Sequence, residues 1–331
     1  MGPRNVPNIT PSTYRRITLV TLASLVFIMV TGAAVRLTGS GLGCSTWPSC
    51  EPDSFTPRSA SDGAGMVEFA NRLVTGAVGL FTVAAVVGAH RRRPRRDDLF
   101  RWSLGLPVWV FANALVGAAV VWLHLSPKTV MVHFLLSLGA VWNALVLHHK
   151  AGEDVEPGTS PGAEVARRPL AVPSLRRGCD ALLAVASVVV VTGTIVTGSG
   201  PHAGDDDANR LGFDLESVVR IHGIAVLVFL GLTLWLVRRA RHGDAEPSVT
   251  RRLEWLVGVL VAQGTVGYAQ YFSGVPAVLV GIHVLGAALV WIAVVSVRLG
   301  LSEPEAGATT SDPRAEAETH VDPTKRPVRL P

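Results

Sequence analysis

Charged residues are scarce in this chain of 331 residues, 17% against a hydrophobic share of 49%, where soluble domains carry about a quarter. The few charges cluster between long apolar blocks, a pattern that excludes a soluble globular protein. Short strands of alternating polarity are missing from those blocks, which excludes a membrane-spanning β-barrel. A cleavable signal pattern is missing from residues 1–14, and the first apolar block is too long for a signal core. Cysteine is down to three positions, Cys44, Cys50 and Cys179.

What is present is eight apolar stretches, at 17–37, 66–89, 102–122, 128–148, 179–199, 218–237, 253–272 and 276–298. A hydrocarbon core takes about 20 residues of helix, and backbone groups in lipid must be satisfied within the segment. The chain is expected to be all-α, a multi-pass protein of the cell membrane with membrane lipid around its eight helices. With the N-terminus in the cytoplasm, 24 of the 30 Lys and Arg fall on the inner side. Only Arg36, Arg58, Arg72, Lys128, Arg210 and Arg220 fall outside. The net charge of +5 is therefore a topology signal that puts both termini in the cytoplasm, and not a nucleic-acid surface.

The phrase Val30-Thr-Gly-Ala-Ala-Val-Arg-Leu-Thr-Gly-Ser-Gly41 returns as Val191-Thr-Gly-Thr-Ile-Val-Thr-Gly-Ser-Gly200, which marks an internal duplication. Each half reads as two hairpins: a long outer loop after its first helix, a basic inner loop, then a tight outer turn. The second hairpins align too, since Gly117 lies 16 residues before His133 and Gly267 lies 16 before His283. By the same logic His222 corresponds to Asn71.

His90, His148, His149 and His242 flank inner loops, His320 is in the tail, and His124 and His202 are in outer loops. His133, His222 and His283 lie inside apolar helices, where an ionisable group is costly. At 1.5 Å per residue, Asn71, His133, His222 and His283 each lie roughly 8–10 Å below the outer face. In an up-down four-helix bundle the second and fourth helices are diagonal. His222 and His283 would then face each other, the arrangement that binds both faces of a haem iron. Zinc fits poorly, because no cysteine or carboxylate joins them. The first half has Asn71 and His133 instead, with Glu68 one turn before Asn71. Glu68 is either a proton-handling group or a carboxylate that snorkels to the interface. Arg36, Arg72 and Arg220 are placed to snorkel or to pair with carboxylates such as haem propionates. Cys44 and Cys50, outside the cytoplasm, are expected to be oxidised as a structural staple or a redox-active pair.

With these residues in hand, the chain resembles haem A synthase, the membrane enzyme that makes haem A for cytochrome oxidases. The resemblance covers about 17–298. It rests on Gly32-Ala-Ala-Val-Arg-Leu-Thr-Gly-Ser-Gly-Leu-Gly-Cys44, Trp47-Pro48, Cys50, Glu68-Phe-Ala-Asn-Arg72, Val132-His133-Phe134, His222-Gly223 and His283. The resemblance implies two pseudo-symmetric four-helix bundles. The N-terminal one, 17–150, would take haem O and oxidise a ring methyl to a formyl through a hydroxylated intermediate. The C-terminal one, 179–300, would hold haem b iron between His222 and His283. Residues 1–16 and 151–178 would be a cytoplasmic N-terminus and linker, and 301–331 a disordered cytoplasmic tail. Glu68 would be catalytic, with His133, Asn71, Arg72 and Arg36 around the substrate haem and Arg220 at the haem b. The family has histidine where this chain has Asn71. Haem O synthase is the expected supplier; the electron acceptor is not identifiable. A dihaem electron-transfer protein or haem carrier is the alternative, and gives no reason for Glu68.

Overall fold

The computed structural model describes residues 8–57, 62–153, 167–205 and 208–304. Eight helices appear in it: α1 (Pro11–Leu37), α2 (Gly63–Arg91), α3 (Asp97–Trp122), α4 (Pro127–Ala151), α5 (Pro173–Ser199), α6 (Leu215–Arg239), α7 (Pro247–Phe272) and α8 (Ala277–Leu299). Proline opens α1, α4, α5 and α7, where its missing N–H costs nothing. Thr10, Asp62 and Asp214 accept from Thr13, Gly65 and Ser217 N–H at the starts of α1, α2 and α6. Most helices run several residues past their apolar stretch at the arginine-rich end, so Arg15, Arg176 and Arg252 are helical. Apolarity marks the membrane's thickness, and the hydrogen-bonded backbone continues beyond it.

Seven helices are long and apolar enough to span a membrane; α7 falls short. Its 26 residues still run about 39 Å. Its polar Gln263 turns inward, donating from Nε2 to the His283 carbonyl oxygen (2.9 Å).

Helices α1–α4 close into one ring and α5–α8 into another, with neighbours packed in sequence order and the last helix returning to the first. This places α2 opposite α4 and α6 opposite α8. The two rings are pseudo-copies, and their buried stripes match position by position. Val78, Thr82, Ala85 and Ala89 of α2 answer to Phe229, Thr233, Leu236 and Ala240. Leu99, Ser103 and Leu106 of α3 answer to Val249, Leu253 and Leu256 of α7, and Leu138, Ala140 and Ala144 of α4 to Ala288, Val290 and Val294 of α8. In lipid such packing rests on close fit and on interhelical hydrogen bonds rather than on water exclusion. Asn143 Nδ2 donating to the Trp102 carbonyl (3.0 Å) joins α3 to α4. Trp291 Nε1 donating to the Leu138 carbonyl (3.1 Å) joins the two rings.

At the arginine-rich end, β1 (Arg167–Pro169) pairs antiparallel with β2 (Ser302–Pro304). Two expectations are corrected here. The tail does not lose its structure at 301, because Leu301 is buried and its carbonyl accepts from Leu170 N–H (2.9 Å). The linker ends at 172, where α5 begins, and not at 178. Arg168 bridges Glu303 (2.6 Å) and Glu246 (3.3 Å), and these carboxylates hold its guanidinium above its ordinary pKa. The rest of the tail, with His320, lies outside the described residues.

At the opposite end the loop after α1 folds back onto α2. Cys44 and Cys50 are joined in a disulfide and fully buried. Trp47 packs edge-on against Trp122 and Phe55 against Phe69. His202, ambiguous in sequence, donates from Nε2 to the Val275 carbonyl (2.8 Å) and pins the α7–α8 turn. His124 is exposed in the α3–α4 turn. Thiol labelling of the denatured, unreduced protein is expected to mark Cys179 alone, because Cys179 is the free cysteine; three labelled positions would refute the pairing.

Candidate functional site

Each intramembrane histidine lies against a glycine of the neighbouring helix. His222 of α6 meets Gly193 of α5, where a Cβ would come 3.1 Å from ring Cε1. His283 of α8 meets Gly267 of α7 (3.2 Å), and His133 of α4 meets Gly117 of α3 (3.4 Å). The glycines that aligned the two halves in sequence are thus the floors on which the rings rest. An alanine at Gly193 or Gly267 would crowd the ring by a few tenths of an ångström, while at Gly117 it would meet the ring at ordinary contact.

His222 has a further partner. Thr192 Oγ1 lies 3.1 Å from His222 Nδ1. The threonine hydroxyl proton is already given to the carbonyl of Val188 (2.9 Å), with Val189 also in range (3.0 Å). With its own proton on Val188, Thr192 is placed to accept from His222 Nδ1–H, which would leave the Nε2 lone pair free. That tautomer is the one that binds a metal through Nε2. His283 stands on the diagonal helix α8. Its Nδ1 is buried with no hydrogen-bond partner.

The first ring differs at one corner. Thr31 and Gly32 occupy the places of Thr192 and Gly193 in the repeat, but the residue that matches His222 is Asn71. A Cβ on Gly32 would meet nothing within 4 Å. The space a ring would fill is open, and Asn71 Oδ1 is buried without a partner. His133 Nδ1 is likewise unpaired, while its carbonyl accepts from Ser137 Oγ (2.9 Å), which also reaches Asn113 (3.0 Å).

Glu68 does not snorkel. It is 6% exposed, with Oε1 held by Arg72 Nη2 (2.5 Å) and Oε2 by the Cys44 N–H (2.9 Å). Arg72 Nη1 also donates to the carbonyls of Thr46 (2.9 Å) and Ser49 (2.9 Å). Disulfide loop, carboxylate and guanidinium form one unit at the start of α2, beside Asn71 in sequence. Arg36 reaches across to the second ring, donating from Nη2 to the Thr197 carbonyl (3.0 Å), and its Nε is buried and unpaired. Arg220 stays at the surface, paired with Glu216 (2.6 Å), both side chains 69% exposed.

The reading from sequence missed Thr192 and the Cys44–Glu68 bond. Thr192 was visible inside the repeated phrase; the Cys44–Glu68 bond had no local signal. Among the described residues no three His, Cys, Asp or Glu gather as a metal cluster. Two lone imidazoles on diagonal helices suit a metal whose remaining ligands come from a macrocycle.

A family model described as cytochrome oxidase assembly protein, COX15-CtaA, matches residues 15–204, from α1 through α5. A protein named heme A synthase from Symbiobacterium thermophilum is 29% identical over 271 residues, 75% of this chain and 82% of that one. One of the same name from Bacillus cereus strain G9842 is 22% identical over 308 residues, covering 88% and 96%. Another, from Bacillus licheniformis, is 27% identical over 130 residues, 39% of this chain and 42% of that protein. With the matched stretch spanning more than half its length, the chain belongs to the COX15-CtaA family of cytochrome oxidase assembly proteins.

Proposed function

We propose that this protein is a haem A synthase, which oxidises a ring methyl of haem O to a formyl group within the first ring while a haem b stays in the second. The observation that carries this reading is the difference between matched corners: Thr192–Gly193 seats His222, whereas the first ring has Asn71 at the matching position, open space at Gly32, and the buried Glu68 one turn before Asn71 on α2. The arginine-rich end is taken as cytoplasmic, on the charge bias of the loops.

The residues of the second ring fit haem b. His222 and His283 would be its axial ligands, and bound there it supplies one-electron transfer. Thr192 holds His222 in the ligating tautomer, and Gly193 and Gly267 let the helices come close enough for both rings to turn inward. In the first ring His133 is the helix-borne ligand for the substrate, and Asn71, a poor iron ligand, leaves the opposite side weakly held. Such a site suits a haem that must enter, react at its edge and leave. Taking hydrogen from a methyl group releases protons as well as electrons. Glu68 is a buried carboxylate one turn before Asn71 on α2; Arg72 neutralises it and the Cys44 N–H fixes its orientation. Arg72 and Arg36 would face the substrate's propionates from the same end. A haem O synthase would supply the substrate.

The dihaem electron-transfer reading draws on one observation, that both Glu68 oxygens are already bonded, as in a purely structural clamp. The two readings part at Glu68. Glu68→Gln keeps shape and removes charge, so haem b content is expected to survive while haem A formation falls by about 100-fold or more, the usual scale for a lost acid–base group. Haem A made at the parent rate would leave Glu68 a clamp.

His222→Ala and His283→Ala are each expected to abolish the stable low-spin haem spectrum; both variants keeping it would sink the ligand assignment. Thr192→Val removes the acceptor at Nδ1. Haem b affinity is expected to drop about 10–100-fold, with a raised midpoint potential that Thr192→Ser restores. An unchanged potential in the valine variant would mean that Thr192 does not set the tautomer.

A further inference from the structure

At the arginine-rich end, where the two rings meet, a cavity of about 320 Å3 opens between α1, α4, α7 and α8. Its walls include Arg15, Arg252, His148, His149 and Glu153. None of these belongs to the haem sites, which lie toward the other end of the helices.

The charges in this cavity do not balance. Glu153 is already shared by Arg167 Nη2 (2.9 Å), His149 Nε2 (3.6 Å) and Arg96 Nη2 (3.8 Å). Arg15 and Arg252 have no carboxylate within ion-pair distance among the described residues. A guanidinium has five N–H donors, and the side chain of Arg252 makes one long contact, Nη1 to the Ser296 carbonyl (3.4 Å). No side-chain hydrogen bond of Arg15 occurs among the described residues.

Both arginines are nonetheless held in place. The Arg15 guanidinium lies over Gly152, where a Cβ would come within 3.1 Å of its Cζ. Arg252 lies over Gly300, where a Cβ would collide with its Nε. These glycines cap α4 and α8, so the carbonyl ends of two helices point toward the cations and steady them. A half-enclosed space therefore has two anchored guanidiniums with most donors free, at the level of helix ends. That is the level of headgroup phosphates, and basic pockets between membrane helices take such groups.

We propose that this cavity is a phosphate-binding site, with the Arg15 and Arg252 guanidiniums gripping the phosphate oxygens. Two sources share this chemistry, the headgroup of an anionic phospholipid and a soluble phosphate.

The full-length protein is purified in detergent, and the binding of short-chain phosphatidylglycerol, phosphatidylcholine and inorganic phosphate is followed by native mass spectrometry. Phosphatidylglycerol is expected to bind in preference to phosphatidylcholine. Arg15→Gln with Arg252→Gln is expected to weaken it about thirtyfold, each change giving about fivefold. Arg238→Gln with Arg241→Gln, which removes the same charge elsewhere at this end, is expected to leave binding unchanged. Phosphatidylglycerol resistant to inorganic phosphate identifies a lipid site. Inorganic phosphate that displaces it, and itself fails to bind the Arg15/Arg252 variant, identifies a soluble ligand of the same pocket. Equal binding of both probes to the parent and to the Arg15/Arg252 variant overturns the proposal. Should the double variant misfold, the single variants decide it, and unchanged binding in both is the overturning result.

Discussion

An imidazole inside a membrane helix has to be packed and given something to bind, and this fold meets that constraint by setting a glycine opposite the ring. Gly193, Gly267 and Gly117 carry His222, His283 and His133 at Cβ-to-ring distances of 3.1, 3.2 and 3.4 Å. Small residues let membrane helices approach; here the approach also turns the rings to the inside.

Duplication gave both halves this scaffold, and the two differ most plainly at one corner. The Thr-Gly pair of α5 holds His222, while the identical pair in α1 has no histidine against it; the matching residue is Asn71, whose amide oxygen is left unpaired. The disulfide loop is tied through Cys44 and Arg72 to Glu68, beside Asn71 in sequence. The second half carries no such unit; its loop is shorter, and Val219 takes the place of Glu68. A tight site and a loosened one on a common frame is what electron transfer beside substrate turnover calls for.

Much of this was legible in the sequence because membranes impose long-period order. Eight apolar stretches, the repeated phrase and the glycine-to-histidine spacing predicted the rings and the histidine corners. What escaped were contacts without periodicity. That Glu68 is buried rather than snorkelling depends on a backbone N–H from a loop 24 residues earlier. Arg36 crosses to Thr197 and Arg220 stays with Glu216, choices set by packing between helices that composition does not record. The short ladder of 167–169 with 302–304 joins two segments that each look structureless alone. His148 and His149, which read as loop-flanking residues, line the cavity between the rings. Proximity in the chain says little about who meets across a bundle interface.

The central claim is that the first ring carries out chemistry on a haem it does not keep. The most direct test expresses the chain in cells that make haem O but have no other route to haem A, and extracts the pigments. The account predicts haem A together with a hydroxylated precursor in extracts, and haem b retained on the purified protein. Haem O recovered unchanged, with haem b bound as before, would contradict it and leave a protein that carries or reduces haem without altering it.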